Sequence, residues 1–261
     1  MNEPFTVDEM MTVAAARMLR NRAVCFVGIG LPSTAANLAR LTHAPEVVLV
    51  YESGPIGAKP AVLPLSIGDG NLAETADTVV STPEIFRYWL QGGRIDVGFL
   101  GAAQIDRYAN INTTVIGPYH KPNTRLPGAG GASEISSSAR ELLIIVKQST
   151  RTFVEKLDFI TSVGFLTGGD ARQKAGLSGN GPVAVITDLC ILRPHPETRE
   201  LEVAMINPGI DRDLIIRNTG WEVKFAKTCE TTESPTQIEL EILRDLHART
   251  VDARRFQGDP K

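Results

Sequence analysis

The sequence predicts an α/β protein built on a single open sheet of mixed or parallel strands, with helices on both faces. Short apolar runs rich in β-branched residues alternate with helical segments over the first two thirds of the chain, which is the order of a βαβ fold. These runs are continuously apolar, as strands buried on both faces are. Glycines gather in loops, and neither a Ser/Gly-rich linker nor an internal repeat is present, so we expect one domain over 1–254 and a flexible tail over 255–261.

The first elements read as helix, strand, helix and strand. Thr6 and Glu9 have the spacing of a capping box, and apolar residues then recur at helical intervals, which predicts an N-terminal helix. A buried strand over 23–29 is closed by a glycine turn, and Pro32 suits the first turn of a helix over 33–41. A second buried strand follows at 47–51.

The later elements continue the alternation. Residues 83–91 predict a helix that ends at the glycine pair 92–93. The other predicted elements are strands at 95–100, 142–147, 183–187 and 201–206, and a long final helix over 234–254.

Charge and hydropathy argue against several classes of function. The chain has 27 Lys and Arg against 30 Asp and Glu, a net charge of −3, with neither sign in long blocks. Such a surface argues against nucleic acid or an anionic membrane as the main partner. No run of 18 apolar residues is available to span a membrane, and the acidic N-terminus lacks a signal-peptide pattern. We therefore expect a cytoplasmic protein.

The cysteines predict reduced thiols and no zinc site. Cys25 and Cys190 lie within apolar runs, as buried thiols do, and Cys229 is far from both in sequence. No two of the three have the spacing of zinc ligands.

Glu52 is the first candidate for chemistry. In open α/β sheets, ligands bind beyond the carboxyl ends of the strands, and Glu52 directly follows the second predicted strand and precedes Ser-Gly-Pro. A carboxylate held there can act as an acid or base, as a metal ligand, or as a nucleophile that forms an acyl intermediate. A helix cap or a surface salt bridge uses the same residue type, so spacing alone leaves these alternatives open.

The stretch 101–117 carries further candidates. It follows a predicted strand and is rich in hydrogen-bonding side chains, although ordinary polar turns share this composition. The residues concerned are Gln104, Asp106, Asn110 and Asn112.

A glycine-rich loop at 125–135 is a candidate anion site. Gly128, Gly130 and Gly131 precede a predicted helix, and backbone N–H groups exposed at such a point stabilise an anion or an oxyanion. A nucleotide-binding P-loop is excluded, because no Lys-Ser/Thr pair follows and the GxGxxG spacing is absent.

Four motifs in order resemble the β subunit of class I CoA-transferases of the glutaconate CoA-transferase type. They are VGIGLPS (27–33), YESGPIG (51–57), GAAQIDRYANINTTVIG (101–117) and PGAGGASEI (127–135). The resemblance spans nearly the whole chain. Within the family it is greatest to subunits of the 3-oxoadipate type, through MMTVAAARMLRN, YESGPIGAKP and GDGNLAETADTVV.

The resemblance implies covalent catalysis by Glu52. Its carboxylate would attack succinyl-CoA to give a mixed anhydride and CoA thiolate, and the returning thiolate would give a glutamyl-CoA thioester and free succinate. 3-Oxoadipate would then take the CoA by the reverse steps, in the β-ketoadipate pathway of aromatic catabolism. The family requires no metal or organic prosthetic group, only coenzyme A thioesters as substrates.

The resemblance also implies the supporting groups. The N–H groups of Gly128, Gly130 and Gly131 would stabilise the oxyanion of each tetrahedral intermediate, with Asn112 and Gln104 as additional donors. One such donor is typically worth about 3 kcal/mol.

The resemblance further implies a second polypeptide, an α subunit with its own glycine-rich loop, in an α2β2 heterotetramer. The nearest alternative is transfer to glutaconate or another dicarboxylate. Hydrolases and decarboxylases on this scaffold lack the nucleophilic glutamate, which this chain has. A sugar-phosphate sensor of a transcription regulator would need a helix-turn-helix segment with a basic face, and none precedes the domain.

Overall fold

The computed structural model describes residues 5–256. Its helices are α1 (Val7–Ala16), α2 (Leu31–Leu41), α3 (Gly70–Glu74), α4 (Thr82–Glu84), α5 (Ala132–Ser138), α6 (Ala171–Lys174), α7 (Arg212–Arg217) and α8 (Gln237–Phe256), and a π-helical turn at Ile85–Leu90 follows α4. Its strands are β1 (Val24–Phe26), β2 (Val48–Val50), β3 (Pro55–Ile56), β4 (Thr78–Val79), β5 (Val97–Leu100), β6 (Gln104–Ile105), β7 (Ile111–Asn112), β8 (Val115–Ile116), β9 (Thr124–Arg125), β10 (Glu141–Ile145), β11 (Pro182–Ile186), β12 (Cys190–Pro194), β13 (Leu201–Ile206) and β14 (Lys224–Thr231).

The chain divides into two compact units. The first runs through Ile85 and takes in the chain again from Pro235, and the second is formed by Phe86–Ser234. The predicted α/β class with open, mixed strands is confirmed. A single domain over 1–254 stays a prediction.

The first unit places four strands in the order β1-β2-β3-β4. β1 and β2 run parallel with Phe26 beside Val50, whereas β2, β3 and β4 pair antiparallel. The carboxyl ends of β1 and β2 therefore meet at one edge. The predicted capping box begins α1: Glu9 N–H donates to Thr6 Oγ1 at 3.2 Å and Thr6 N–H to Glu9 Oε2 at 2.7 Å.

The helices of the first unit bury its apolar residues. Residues 10–16 of α1 are buried throughout, and α1, α2 and α8 pack against one another. Pro32 lies in the first turn of α2 as predicted, because its missing N–H would have no helical partner there.

The second unit places six strands in the order β14-β13-β12-β11-β10-β5. β5, β10 and β11 run parallel, β12 is antiparallel to both of its neighbours, and β13 and β14 are parallel. Two small hairpins, β6–β7 and β8–β9, occupy the polar stretch after β5. The carboxyl ends of β5, β10 and β11 thus share one edge, where the polar stretch begins.

Several elements differ from the predictions. The helix predicted over 83–91 is α4 followed by the π-helical turn. The additional elements that were not predicted are the strands β3, β4, β6, β7, β8, β9, β12 and β14 and the short helices α3, α6 and α7. β14 has mostly exposed or half-buried side chains, so no apolar run marks this edge strand. The final helix ends at Phe256 instead of residue 254, and 257–261 of the predicted tail lie outside the described residues.

Cys25 and Cys190 are fully buried, reduced cysteines, which confirms their predicted environment. Burial raises the pKa of the Cys190 thiol to about 12, so it stays protonated. Among the described helices, none has both the length and the apolar character needed to cross a membrane.

Candidate active site

Glu52 follows β2 on a turn at the edge where β1 and β2 end. Its side chain is half-buried, and within residues 5–256 it makes no hydrogen bond or ion pair. The alternatives of a helix cap and a surface salt bridge are therefore not what the structure shows. An uncommitted carboxylate on a strand end is available to attack a ligand.

The turn that carries Glu52 is tightly constrained. Gly54 N–H donates to the Tyr51 carbonyl and Tyr51 N–H to the Pro55 carbonyl, each at 3.0 Å. Gly54 has φ +123°, and a Cβ there would lie 2.1 Å from the Val80 carbonyl oxygen. Only glycine fits, because any larger residue would collide with the backbone beside β4.

Tyr51 anchors the start of this turn. Its side chain is fully buried, and its hydroxyl lies 3.4 Å from the Ser33 hydroxyl on α2. Burial, opposed by hydrogen bonds from Ser33 and Asn37, raises the pKa of Tyr51, so the phenol is neutral at physiological pH. The position of Glu52 thus depends on packing between β2 and α2.

Open space lies over the glycine turn that follows β1. A Cβ built on Gly28 or Gly30 would meet nothing within 4 Å. Because Phe26 pairs with Val50, this turn and the one that carries Glu52 leave neighbouring parallel strands at the same edge. The glycine turn can be recognised in the sequence, but its position beside the Glu52 turn cannot. The signal that could have revealed this position is the parallel pairing of the two apolar strands β1 and β2.

In the second unit the structure brings together Gln104 and Asn112, which pair across the β6–β7 hairpin. Asn112 is fully buried, and its Nδ2 donates to Gln104 Oε1 at 2.7 Å and to the Val115 carbonyl at 2.6 Å. Its Oδ1 accepts from Thr114 N–H at 2.9 Å. Both amide protons are engaged, so donation to an oxyanion, which stays a prediction, would require one of these bonds to break.

Gln104 joins this pair to a later loop. Its Nε2 donates to Asp158 Oδ2 at 2.9 Å, and its Oε1 accepts from Asp158 N–H at 3.3 Å. Its second amide proton has no acceptor in the part of the chain that the structure describes. Asp106 and Asn110 are likewise engaged in shaping the loop, since Asn110 Nδ2 donates to Asp106 Oδ2 at 2.8 Å.

The glycine N–H groups of the glycine-rich loop differ in whether they donate a hydrogen bond within the described residues. Gly128 N–H donates to the Thr113 carbonyl at 2.9 Å, and Thr113 Oγ1 donates to the Gly128 carbonyl at 2.8 Å. The N–H groups of Gly130 and Gly131 have no acceptor within the described residues. Gly130 has φ +48° and open space where a Cβ would stand, and α5 begins directly after Gly131, as predicted.

Similarity to known proteins identifies the family. The model of the coenzyme A transferase family matches residues 8–218. The chain belongs to this family.

Two relatives show where in the family the similarity is high. The B subunit of the 3-oxoadipate CoA-transferase of Pseudomonas knackmussii is 68% identical over 97% of this chain and 98% of its own length. The B subunit of the glutaconate CoA-transferase of Acidaminococcus fermentans is 33% identical, over 92% of each chain.

A solved CoA-transferase confirms the fold. The crystal structure of glutaconate coenzyme A-transferase from Acidaminococcus fermentans superposes with a TM-score of 0.87 at 31% identity, over 93% of this chain and 94% of the other.

Within the described part of this CoA-transferase chain, no group of three or more His, Cys, Asp and Glu side chains is placed to hold a metal ion. The first unit offers the carboxylate of Glu52, and the second unit offers the backbone N–H groups of Gly130 and Gly131.

Proposed function

We propose that this chain is the β subunit of a cytoplasmic CoA-transferase that moves CoA from succinyl-CoA to 3-oxoadipate through a covalent intermediate on Glu52. The observation that supports the substrate pair is the 68% identity to the B subunit of a 3-oxoadipate CoA-transferase over nearly the full length of both chains. The 33% identity to the corresponding glutaconate CoA-transferase subunit is much lower. The observation that supports the mechanism is the half-buried, unpaired carboxylate of Glu52.

In the first step a Glu52 carboxylate oxygen attacks the thioester carbon of succinyl-CoA. The C–S bond breaks, CoA leaves as the thiolate, and a mixed anhydride of Glu52 and succinate remains. The thiolate then attacks the Glu52 acyl carbon, which forms the glutamyl-CoA thioester and releases succinate. A carboxylate of 3-oxoadipate repeats these steps in reverse order, so the enzyme carboxylate is regenerated.

Each acyl transfer passes through a tetrahedral intermediate whose oxyanion needs donors. The N–H groups of Gly130 and Gly131 are available for it, whereas Gly128 N–H is held by Thr113. We assign Gly130 and Gly131 as the oxyanion donors, and we assign Gly128, Asn112 and Gln104 to shaping the loops. A lost donor of this kind costs about 3 kcal/mol in the transition state.

The active enzyme contains a second subunit. The high-identity relative is itself one subunit of its enzyme, and we propose an α subunit of similar fold in an α2β2 heterotetramer. No metal or organic prosthetic group takes part, because the CoA thioester supplies both the activated acyl group and the leaving thiolate.

The test is an intact-mass measurement on this chain co-purified with its α subunit and exposed to succinyl-CoA. We expect a mass gain equal to CoA less water, which disappears when succinate or 3-oxoadipate is added and is absent in Glu52→Gln. Glu74→Gln serves as the matched control, since Glu74 is an exposed glutamate on α3 of the same unit. Turnover of the thioester without any adduct on the wild-type chain would contradict the proposal.

The acceptor is tested separately by offering glutaconate in place of 3-oxoadipate. We expect discharge of the adduct to be faster with 3-oxoadipate. A faster discharge with glutaconate would overturn the substrate assignment and leave the covalent mechanism intact.

A further inference from the structure

Arg172 holds a buried positive charge that forms an ion pair with none of the described carboxylates. Its side chain is 5% exposed, and its donors go to backbone carbonyls: Nε to Gly179 at 2.8 Å, Nη1 to Gly164 at 2.9 Å and Nη2 to Ser136 at 2.7 Å. Burial lowers the pKa of Arg172 to about 10, so the guanidinium remains charged at neutral pH. Buried charges are normally compensated by an opposite charge, and none of the described acidic residues forms an ion pair with this one.

A cleft of about 490 Å³ opens beside Arg172. Its wall combines three apolar residues, Phe165, Leu177 and Pro196, with three neutral polar ones, Gln173, Ser178 and Asn180. Four charged residues complete it with two glycines: the cations Arg172 and Arg199 and the carboxylates Asp170 and Glu197. Small-molecule sites commonly have volumes of about 300–1,000 Å³ and combine an apolar wall with a few polar groups. The cleft therefore has the size of a ligand site, with a lining that is largely polar and charged.

Arg199 is a second cation on this wall. Its guanidinium carbon lies 5.6 Å from the centre of the Phe165 ring, and it forms no ion pair within residues 5–256. Its backbone has φ +62°, a left-handed conformation that is strained for any residue other than glycine. Backbone strain of this kind recurs at ligand sites, and here it accompanies the placement of the guanidinium over Phe165.

The cleft lies at the edge of the second unit's strands opposite to the candidate oxyanion loop. Gly179 and Asn180 lie just before β11, with Gly181 between them and the strand, and Pro196 and Arg199 follow the antiparallel strand β12. Both segments therefore lie where β10 and β11 begin. The glycine-rich loop, in contrast, is joined through Gly128 to Thr113, in the polar stretch that follows the carboxyl end of β5. The cleft is thus separate from the loop to which the oxyanion donors Gly130 and Gly131 belong.

We propose that this cleft binds a small organic acid that carries a single carboxylate and an apolar body. The carboxylate pairs with Arg199 and compensates the charge of Arg172, while the apolar body lies against Phe165 and its neighbours. Two carboxylates lie on the same wall. Asp170 pairs with Lys174 at 3.0 Å, whereas Glu197 forms no ion pair within the described residues, so a second negative charge on a phosphate would face the Glu197 carboxylate and be disfavoured.

Benzoate is a suitable probe, with one carboxylate and an apolar ring. Isothermal titration calorimetry of the full chain with its α subunit should show saturable binding at one site per chain. Arg199→Gly should weaken this binding at least tenfold. Glycine adopts a positive φ without strain, so the variant removes the guanidinium without disturbing the backbone, and an unchanged melting temperature verifies this.

Two further variants make the experiment specific. Arg193→Ala removes an exposed arginine of β12 that lies outside the cleft, and it should leave the affinity within twofold of the wild type. Glu197→Gln should tighten benzoate binding severalfold by removing a repelling charge. The proposal is overturned if Arg199→Gly binds benzoate as the wild type does, if no saturable binding occurs at tens of millimolar, or if inorganic phosphate binds more tightly than benzoate.

Discussion

The side-chain amide of Asn112 donates to Gln104 Oε1 at 2.7 Å while its second proton goes to the Val115 carbonyl. The sequence suggests Asn112 as a hydrogen-bond donor to substrate, but both of its amide protons are donated within the loop. The pair joins β7 to β6 and, through Asp158, to a later loop. A structural role in the loop and a catalytic role therefore predict different effects of substituting Asn112.

The first prediction concerns stability. Asn112→Ala should lower the free energy of unfolding by about 2–4 kcal/mol, because Gln104 Oε1, the Val115 carbonyl and Thr114 N–H each lose a buried partner. Chemical denaturation measures this, with the exposed Asn123→Ala as control. Unchanged stability together with a large loss of kcat would instead assign Asn112 to the oxyanion.

The second prediction separates the chemistry of Glu52 from folding. Glu52→Gln should abolish the covalent adduct and turnover, yet leave the melting temperature within about 1 °C of the wild type, since the change keeps the side-chain size and removes no hydrogen bond or ion pair within the described residues. Glu52→Asp keeps the charge but withdraws it by one methylene, and it should reduce kcat by about 100-fold or more, as small misplacements of reacting groups do. Differential scanning calorimetry and steady-state kinetics test both variants. A strong destabilisation by Glu52→Gln would show that the side chain has a structural partner.

The third prediction uses two glycines with the same steric freedom. Neither Gly28 nor Gly70 has a positive φ, and a Cβ on either would meet nothing within 4 Å. Gly28→Ala and Gly70→Ala should therefore both fold with unchanged stability. Only Gly28→Ala should raise KM for succinyl-CoA, because a thioester within reach of Glu52 would occupy the open space beside the turn that carries it. Equal KM values for the two variants would move the substrate elsewhere.

The fourth prediction concerns pH and the end of α1. Arg17 donates to Glu239 through Nε at 2.8 Å and Nη2 at 2.7 Å, while Thr236 N–H donates to the same carboxylate at 2.8 Å. Partial burial acts to raise the pKa of Glu239, but the hydrogen bonds from Arg17 and Thr236 outweigh it, so the pKa lies below the usual value of 4.5.

A carboxyl pKa that is lowered by folding contributes stability above its unfolded value, and the contribution is lost as the pH falls through the folded value. Glu239→Gln should thus cost about 1 kcal/mol at pH 7, in the upper range for partly exposed pairs, and the difference should shrink below pH 4.5. Denaturant midpoints at pH 7 and in steps below pH 4.5 measure this. Glu241→Gln, on the same helix, is the control, and a difference independent of pH would rule out the charge as its source.

The sequence by itself determined the alternation of helices and strands, the capping box at Thr6, the turn after β1 and the position of Glu52 at a strand end. These features depend on local chemistry, because capping, turn formation and continuous apolar runs act over a few neighbouring residues. Four motifs in a fixed order likewise indicated the family, since each is a short stretch of neighbouring residues.

The tertiary structure decided which candidates are free to act. Gly128, Gly130 and Gly131 look alike in sequence, but only the first has its N–H taken up, by a carbonyl fifteen residues earlier. Asn112 is a plausible donor by residue type, yet both of its amide protons are engaged. The sequence likewise does not show that Arg172 is buried among backbone carbonyls and lies beside a cleft. Hydrogen-bond satisfaction and burial are set by contacts between residues distant in sequence, and no local pattern encodes them.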